Sequence, residues 1–414
     1  MRQTDARKKH IRASDLRGAG QLAIDATIGL TNLVETMHKN ISRVPGIFGS
    51  ATDDPTSGIT GFVYRSIRGV TRVVGGGLDL ALGQLTGLLN QEPSSSEREA
   101  VVSALNGVIG DHLVASKNPL AISMQLRRNG EPLTLTKKAL SRAIPQASGR
   151  ILLLVHGLCM SDLQWQRNGH DHGEALAADP AFPVPFTTVY LHYNSGLHIS
   201  INGSTLAAQL EALLKDWPVP IENLTIIAHS MGGLVARSAC ECGRREGQLW
   251  PRALKKIIFL GTPQFGAPLE RGGNWVNVIL DASPYTAAFA RLAKIRSAGI
   301  TDLRHAGVRD ADWEQQDRFV SSKKTKPHDL PLPAGVRCYA VAASIAKKSA
   351  PLAGRILGDG LVPLMSALGQ HKDPERSLAF PKSRQWIGVG MNHMDLLDRQ
   401  NVYRRIRKWL LAET

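Results

Sequence analysis

From Asn118 onward, apolar residues come in short β-branched blocks separated by stretches with helical spacing. The first block alternates. In "LAISMQLRRNGEPLTLT", Ile122, Met124 and Leu126 share one face, Asn129-Gly130 interrupts, and Leu133 and Leu135 resume. Asn-Gly between alternating runs predicts a two-residue hairpin. The later blocks read as buried strands: 151–157, 186–193, 223–229, 254–261, 335–343 and 385–390. Helical patterns follow several of them, over 204–217, 232–245 and 394–411. A hairpin leading into alternating strand and helix predicts an α/β fold, a mostly parallel sheet with helices on both faces.

Residues 1–117 carry a different pattern and read as a helical N-terminal extension to an α/β domain over 118–414. Over 19–38, Leu22, Ile24, Ile28, Leu33, Val34 and Met37 recur at helical spacing. Between Gly58 and Leu89 an apolar face (Ile59, Phe62, Val63, Ile67, Val70, Val74) lies beside a stripe of Arg65, Arg68 and Arg72. Seven glycines between Gly58 and Gly83 are a heavy load for a helix, each costing about 1 kcal/mol relative to alanine. The segment reads either as bundle helices packed on the α/β domain or as an interfacial element, with arginines at anionic headgroups. After the linker "NQEPSSSERE", a helix runs to about Val114, with Val101, Val102, Leu105, Val108 and Ile109 inward.

Composition narrows the partners. Apolar residues are 43% and charged residues 21%, an ordinary globular balance. The net charge of +15 calls for an anionic partner, but it is spread along the chain without an arginine-rich arm or aromatic–basic motif. No nucleic acid is expected; peripheral contact with a lipid surface through 58–89 suits the charge better. The four cysteines (Cys159, Cys240, Cys242, Cys338) show neither a disulfide framework nor metal-ligand spacing, so no metal is expected. The basic N-terminus lacks an apolar signal region, and no stretch reaches about 18 uninterrupted apolar residues. A cytoplasmic location, with peripheral membrane association as an option, is the expectation.

In a parallel sheet, chemistry gathers at the carboxyl ends of the strands. Three ends stand out. In "LTIIAHSMGGLVAR", a strand stops at Ser230 and a helix begins at once, with Ala228 and Gly232 two residues to either side. A nucleophile elbow has this form: a strained serine raised above the sheet, with small neighbours where strand and helix cross. Glycine is usual at the position of Ala228, and a single methyl should be tolerated. After the first long strand, "LVHGLCMSD" begins a loop whose backbone suits an oxyanion hole, with Leu158 and Met231 as candidate N–H donors. Cys159 beside it reads as an apolar thiol. Asp359, between Gly358 and Gly360, follows the 335–343 strand, and His393 follows the last strand. Asp359 would set the tautomer of His393, and His393 would take the Ser230 proton. Competitors for the base are His371, His328 and His305; for the acid, Asp281, Asp302, Asp310 and Asp373. These lie in loop or helical stretches.

The motifs "VHGL" (155–158), "AHSMGGLVAR" (228–237), "LGTPQFGAP" (260–268), "GDGLVP" (358–363) and "NHMDLL" resemble those of α/β-hydrolase lipases and esterases, in particular the group related to GPI inositol-deacylase and triacylglycerol lipases. "HYNSGLHISING" (192–203) resembles bacterial esterases of the same group. The resemblance spans about residues 118–412. It implies an α/β-hydrolase fold with a cap insertion. It also implies hydrolysis of carboxylic esters through an acyl-enzyme on a Ser230–His393–Asp359 triad, with no cofactor. The cap is expected at about 268–334, between "GTPQFGAP" and "GVRCYAVAA". Its apolar cluster, including Trp275, Tyr285 and Phe289, either packs the cap on the core or lines an acyl-chain channel, with Trp165 as the opposite wall. Acyl lipids and small esters are the expected substrates. An acyltransferase or thioesterase could run on the same triad. A lipid-surface binding protein with a vestigial triad is the rival from another class.

Overall fold

The computed structural model describes residues 17–18, 20–21, 96–267, 297–313, 330–346 and 358–412. The expected helix over 19–38 falls outside them apart from residues 20–21. So do the 58–89 segment and the cluster of Trp275, Tyr285 and Phe289. Of the expected cap, 297–313 and 330–334 are described.

The chain divides into two compact units, Met1–Arg98 with Leu113–Ala121, and Glu99–His112 with Ile122–Thr414. What is described of the first unit is local. Asn118 donates from Nδ2 to the Gly18 carbonyl at 3.0 Å and accepts the Leu120 N–H at 2.9 Å. Helix α1 (Ser96–Ala115) contributes Glu99–His112 to the second unit.

The second unit is built on one eight-stranded sheet. Its strands are β1 (Gln125–Arg128), β2 (Glu131–Pro132), β3 (Arg150–Val155), β4 (Thr187–His192), β5 (Asn223–His229), β6 (Leu254–Leu260), β7 (Arg337–Ser344) and β8 (Gln385–Val389). They lie in the order β2-β1-β4-β3-β5-β6-β7-β8. β1 pairs antiparallel with β2 and β4; from β4 to β8 every pairing is parallel. The hairpin has the predicted chemistry. Arg128 faces Glu131, and both intervening residues take positive φ, Asn129 at 52° and Gly130 at 77°, the signature of a type I′ turn.

The sequence explains the layering. β3 and β4 are buried throughout, as expected of parallel strands covered on both faces. The longer of the further described helices are α2 (Ile199–Lys215), α3 (Met231–Arg245), α4 (Ala298–His305) in the expected cap, and α5 (Gln400–Leu411). Alternate residues of the central strands, among them Leu152, Leu154, Ile227, Ile258, Tyr339 and Val341, form one core with Val402, Ile406 and Trp409 of α5. The intervening residues face the other way, where α3 crosses beside Val155 and Phe259. Helices therefore cover both faces, and the loops at the carboxyl ends of β3, β5, β7 and β8 converge on one edge. Among the described residues no helix is long and apolar enough to cross a membrane.

Candidate active site

Ser230 joins β5 directly to α3, with φ 53° and ψ −126°. A residue with a Cβ avoids this region, so the corner stores strain and must be held by its surroundings. Ser230 N–H donates to the Leu260 carbonyl at 2.8 Å, carrying the ladder one residue past β5, and its own carbonyl accepts from Gly233 N–H at 3.1 Å. Crowding accounts for the small neighbours. A Cβ on Gly232 would lie 2.4 Å from the His156 carbonyl oxygen and 2.6 Å from that of Val155. A Cβ on Gly157 would meet Ser230 Cβ at 3.0 Å, so the first glycine after β3 lies against the serine. Ala228, fully buried, pairs with Val155 on one side and Phe259 on the other, where its methyl fits.

Asp359 and His393 are brought together by the ends of β7 and β8. His393 Nδ1 lies 2.7 Å from Asp359 Oδ2, and the His393 N–H donates to the Asp359 carbonyl at 3.2 Å. The other carboxylate oxygen accepts the N–H groups of Leu361 (2.9 Å) and Val362 (2.8 Å). The turn needs its glycines: φ is 75° at Gly358 and 96° at Gly360, and a Cβ on Gly358 would strike the Val362 carbonyl oxygen at 2.0 Å. Both side chains are buried. A carboxylate so fixed favours the proton on Nδ1 and leaves Nε2 of His393 as the basic nitrogen.

His229 and Gly261 link the serine corner to the histidine. The His229 and His393 rings are 4.6 Å apart between centroids, and His229 Nε2 lies 3.3 Å from the His393 carbonyl oxygen. Burial, with the nearby His393 charge, holds His229 well below the usual imidazole range, so it is neutral. Gly261, next to the Leu260 carbonyl that accepts from Ser230, takes φ 59°; a Cβ there would come within 3.1 Å of the His393 ring. Among the described residues no hydrogen bond joins Ser230 to the His393 ring. His172 supports the same loop, with Nε2 3.0 Å from the Leu396 carbonyl oxygen, and burial lowers its pKa to about 3. Sequence reading missed His229, His172 and Gly261. His229 adjoins Ser230 in the motif, but its contact with His393, like those of the other two, acts across a long sequence separation.

The loop that holds the candidate donor Leu158 leaves β3 at His156. Burial pushes His156 down to about 3, and Tyr193 Oη donates to its carbonyl at 2.9 Å. Leu158 and Met231 are buried, and among the described residues their N–H groups have no protein acceptor. Cys159 follows at φ 60°. Its thiol is buried and pushed up to about 12, a protonated and unreactive group at neutral pH. Trp165 is wholly buried in the core, edge-on to His229 at 6.5 Å.

Of the competing candidates, Asp281 and His328 fall outside the described residues. Asp302 pairs with His198, 3.0 Å from its Nδ1, and His198 stacks on Trp313 at 3.8 Å. His371 sits beside Phe265 and accepts the N–H of exposed Asp373. Asp310 opens a short 3₁₀ turn. The described residues hold no group of three or more His, Cys, Asp or Glu suited to a metal ion. A cavity of about 270 Å³ beside Cys338 and Arg384 opens at the starts of β7 and β8, the opposite end of the sheet.

Residues 146–329 match the family model of the PGAP1-like alpha/beta domain. Solved structures similar to this chain include lipase B of Aspergillus fumigatus, 11% identical over 95% of this chain and 84% of that one, with a TM-score of 0.36. The type II thioesterase YbtT of the yersiniabactin pathway is 14% identical over 64% and 93%, with a TM-score of 0.36. Phospholipase PlaB of Legionella pneumophila is 14% identical over 53% and 45%, with a TM-score of 0.34. No curated protein sequence matches the chain. Residues 146–329 thus match a PGAP1-like alpha/beta domain, and they lie on a mostly parallel eight-stranded sheet.

Proposed function

We propose that the protein is a serine hydrolase that cleaves carboxylic esters, acyl lipids or small esters, through an acyl-enzyme on Ser230. The observation that carries this reading is a serine in a strained strand-to-helix corner on the same edge of the sheet as a buried His393–Asp359 pair at 2.7 Å. Ser230 Oγ attacks the ester carbonyl while His393 Nε2 takes its proton. The oxyanion accepts hydrogen bonds from the N–H groups of Leu158 and Met231. As the tetrahedral intermediate collapses, the C–O bond to the alcohol breaks and His393 returns the proton to it. Water, deprotonated by the same nitrogen, then attacks the acyl group and releases the acid and free Ser230. Asp359 stabilises the imidazolium formed in both steps without accepting its proton. No step calls for a metal or an organic cofactor.

A panel of p-nitrophenyl esters from acetyl to palmitoyl, supplemented with a thioester of the best acyl chain, tests the reading. Wild-type protein should hydrolyse at least one ester, the chain-length profile should report the depth of the acyl site, and Ser230→Ala should lose at least about 10⁴-fold in kcat. A folded wild-type protein inert towards the whole panel would overturn the proposal. A clear preference for the thioester would reassign the substrate while keeping the triad.

A further inference from the structure

The α1 segment Glu99–His112 precedes the sheet in the chain and lies outside the matched 146–329 segment, yet its backbone packs directly on the oxyanion loop. A Cβ on Gly107 would lie 2.3 Å from Cys159 Sγ and 2.9 Å from both Cys159 Cα and N. One turn on, a Cβ on Gly110 would lie 1.9 Å from Asn194 Oδ1. From the facing loop, a Cβ on Gly196 would strike the Asn106 carbonyl oxygen at 2.1 Å. At Gly107 and Gly196 the facing atoms include main chain, which no rotamer change moves; at Gly110 they belong to the Asn194 side chain. The helix is also kinked here, with Ile109 at φ −135° and ψ 23°. A kink frees carbonyls from the helical ladder. The Gly107 carbonyl accepts from Ser297 Oγ at 2.7 Å, and the Gly110 carbonyl from Asn194 Nδ2 at 3.0 Å. On the loop itself, Cys159 holds a positive φ that a residue with a side chain adopts only under constraint, and its N–H donates to Ser195 Oγ at 3.0 Å.

We propose that Glu99–His112 is a positioning element of the active site: Gly107, pressed on Cys159 while Ser195 holds the Cys159 N–H, fixes the turn that aims the neighbouring Leu158 N–H at the oxyanion. This inference rests on the serine-hydrolase reading above. An oxyanion donor acts on charge that develops in the transition state, so its misplacement lowers kcat and leaves KM nearly unchanged. An element that only held the fold together would instead lower the melting temperature and leave kcat per folded molecule as it was.

The test uses full-length protein and p-nitrophenyl butyrate, with kcat normalised to sites titrated by a fluorophosphonate. Gly107→Ala should lower kcat roughly 10-fold or more at a KM within about twofold of wild type. Cys159→Gly added to it should recover part of the loss, because it removes the Sγ in the way and accepts the positive φ, while the 2.9 Å approaches to Cα and N remain. An unchanged kcat in Gly107→Ala, or a loss that Cys159→Gly does not relieve, would overturn the proposal. If Gly107→Ala does not fold, Ser195→Ala decides: about a fivefold fall in kcat at constant KM is expected, and an unchanged kcat overturns the proposal. Failure of the wild type to hydrolyse esters and to react at Ser230 would remove the serine-hydrolase reading itself; activity that ignores the Gly107 and Ser195 changes would remove only this inference.

Discussion

At the residue scale, the central contrast is between Ala228 and Gly232, two residues before and after Ser230. Both are small, for different reasons. Ala228 sits between Val155 and Phe259 with its methyl accommodated, whereas a methyl on Gly232 would run into two carbonyl oxygens of the β3 exit. Ala228→Gly should leave kcat within about twofold and cost about 1 kcal/mol of stability, from strand entropy and a lost buried methyl. Gly232→Ala should cost about 3 kcal/mol and most of the activity, because the atoms in its way are main chain. Urea unfolding with kinetics on the same preparations separates the two. Asp359→Asn should keep the fold and lower kcat by roughly 10³- to 10⁴-fold, since an amide can present its N–H to the imidazole and favour the wrong tautomer. Ser230, Asp359 and His393 were legible as candidates because each ends a readable strand. The contact of His229 with the His393 carbonyl was not, because a buried histidine beside a serine looks the same in sequence whether or not it supports another loop.

At the scale of elements, hydrophobic period carried most of the reading, and tertiary packing moved the boundaries. Strands β3 to β8 lie where the apolar blocks fall, but β8, at the sheet's edge, is largely half-buried with Ile387 exposed rather than buried as expected. The hairpin strands are shorter than their alternation: Ile122, Met124, Leu133 and Leu135 continue the pattern, but only Gln125–Arg128 and Glu131–Pro132 are strand. Helix α2 begins at Ile199, five residues before the expected start at 204, across "ISING", a poor helix-forming run. Gly203 explains it: a Cβ there would lie 2.2 Å from Ser238 Oγ of α3, so the weak first turn is held by close helix packing. Lys256 is a feature that periodicity could not reveal. Buried on β6, its ammonium donates to the Trp409 and Leu410 carbonyls at 3.1 Å each, capping the end of α5. Lys256→Met should cost about 2 kcal/mol by urea denaturation; a change under about 0.5 kcal/mol would show that the cap contributes little. At the hairpin, Gly130→Ala should cost about 1 kcal/mol, because φ 77° strains any residue with a Cβ.

At the scale of the whole molecule, three buried histidines tie the active-site loops to acid stability. Burial lowers His156 and His172 to about 3 and places His229 well below the usual range. Their folded-state pKa values lie below the unfolded value near 6.5, so the unfolded chain binds more protons between those limits. The stability they contribute is present above about pH 6.5 and is lost as pH falls, towards about 3 for His156 and His172. Thermal melts should show a Tm that declines steadily from pH 7 to pH 4.5; a flat profile would contradict the burial of these rings. The fold class was legible in the order of strand and helix. The packing of Glu99–His112 on the oxyanion loop was not, because a helix made to fit another backbone shows only glycines, which in sequence look like weakness. The central claim, that Ser230 is the activated nucleophile of an ester hydrolase, is tested most directly by incubating the full-length protein with a fluorophosphonate and mapping the adduct by peptide mass spectrometry. The account predicts one adduct, on Ser230, lost in Ser230→Ala and strongly slowed in His393→Ala. A folded protein that takes no label, or takes it at another residue, would contradict it.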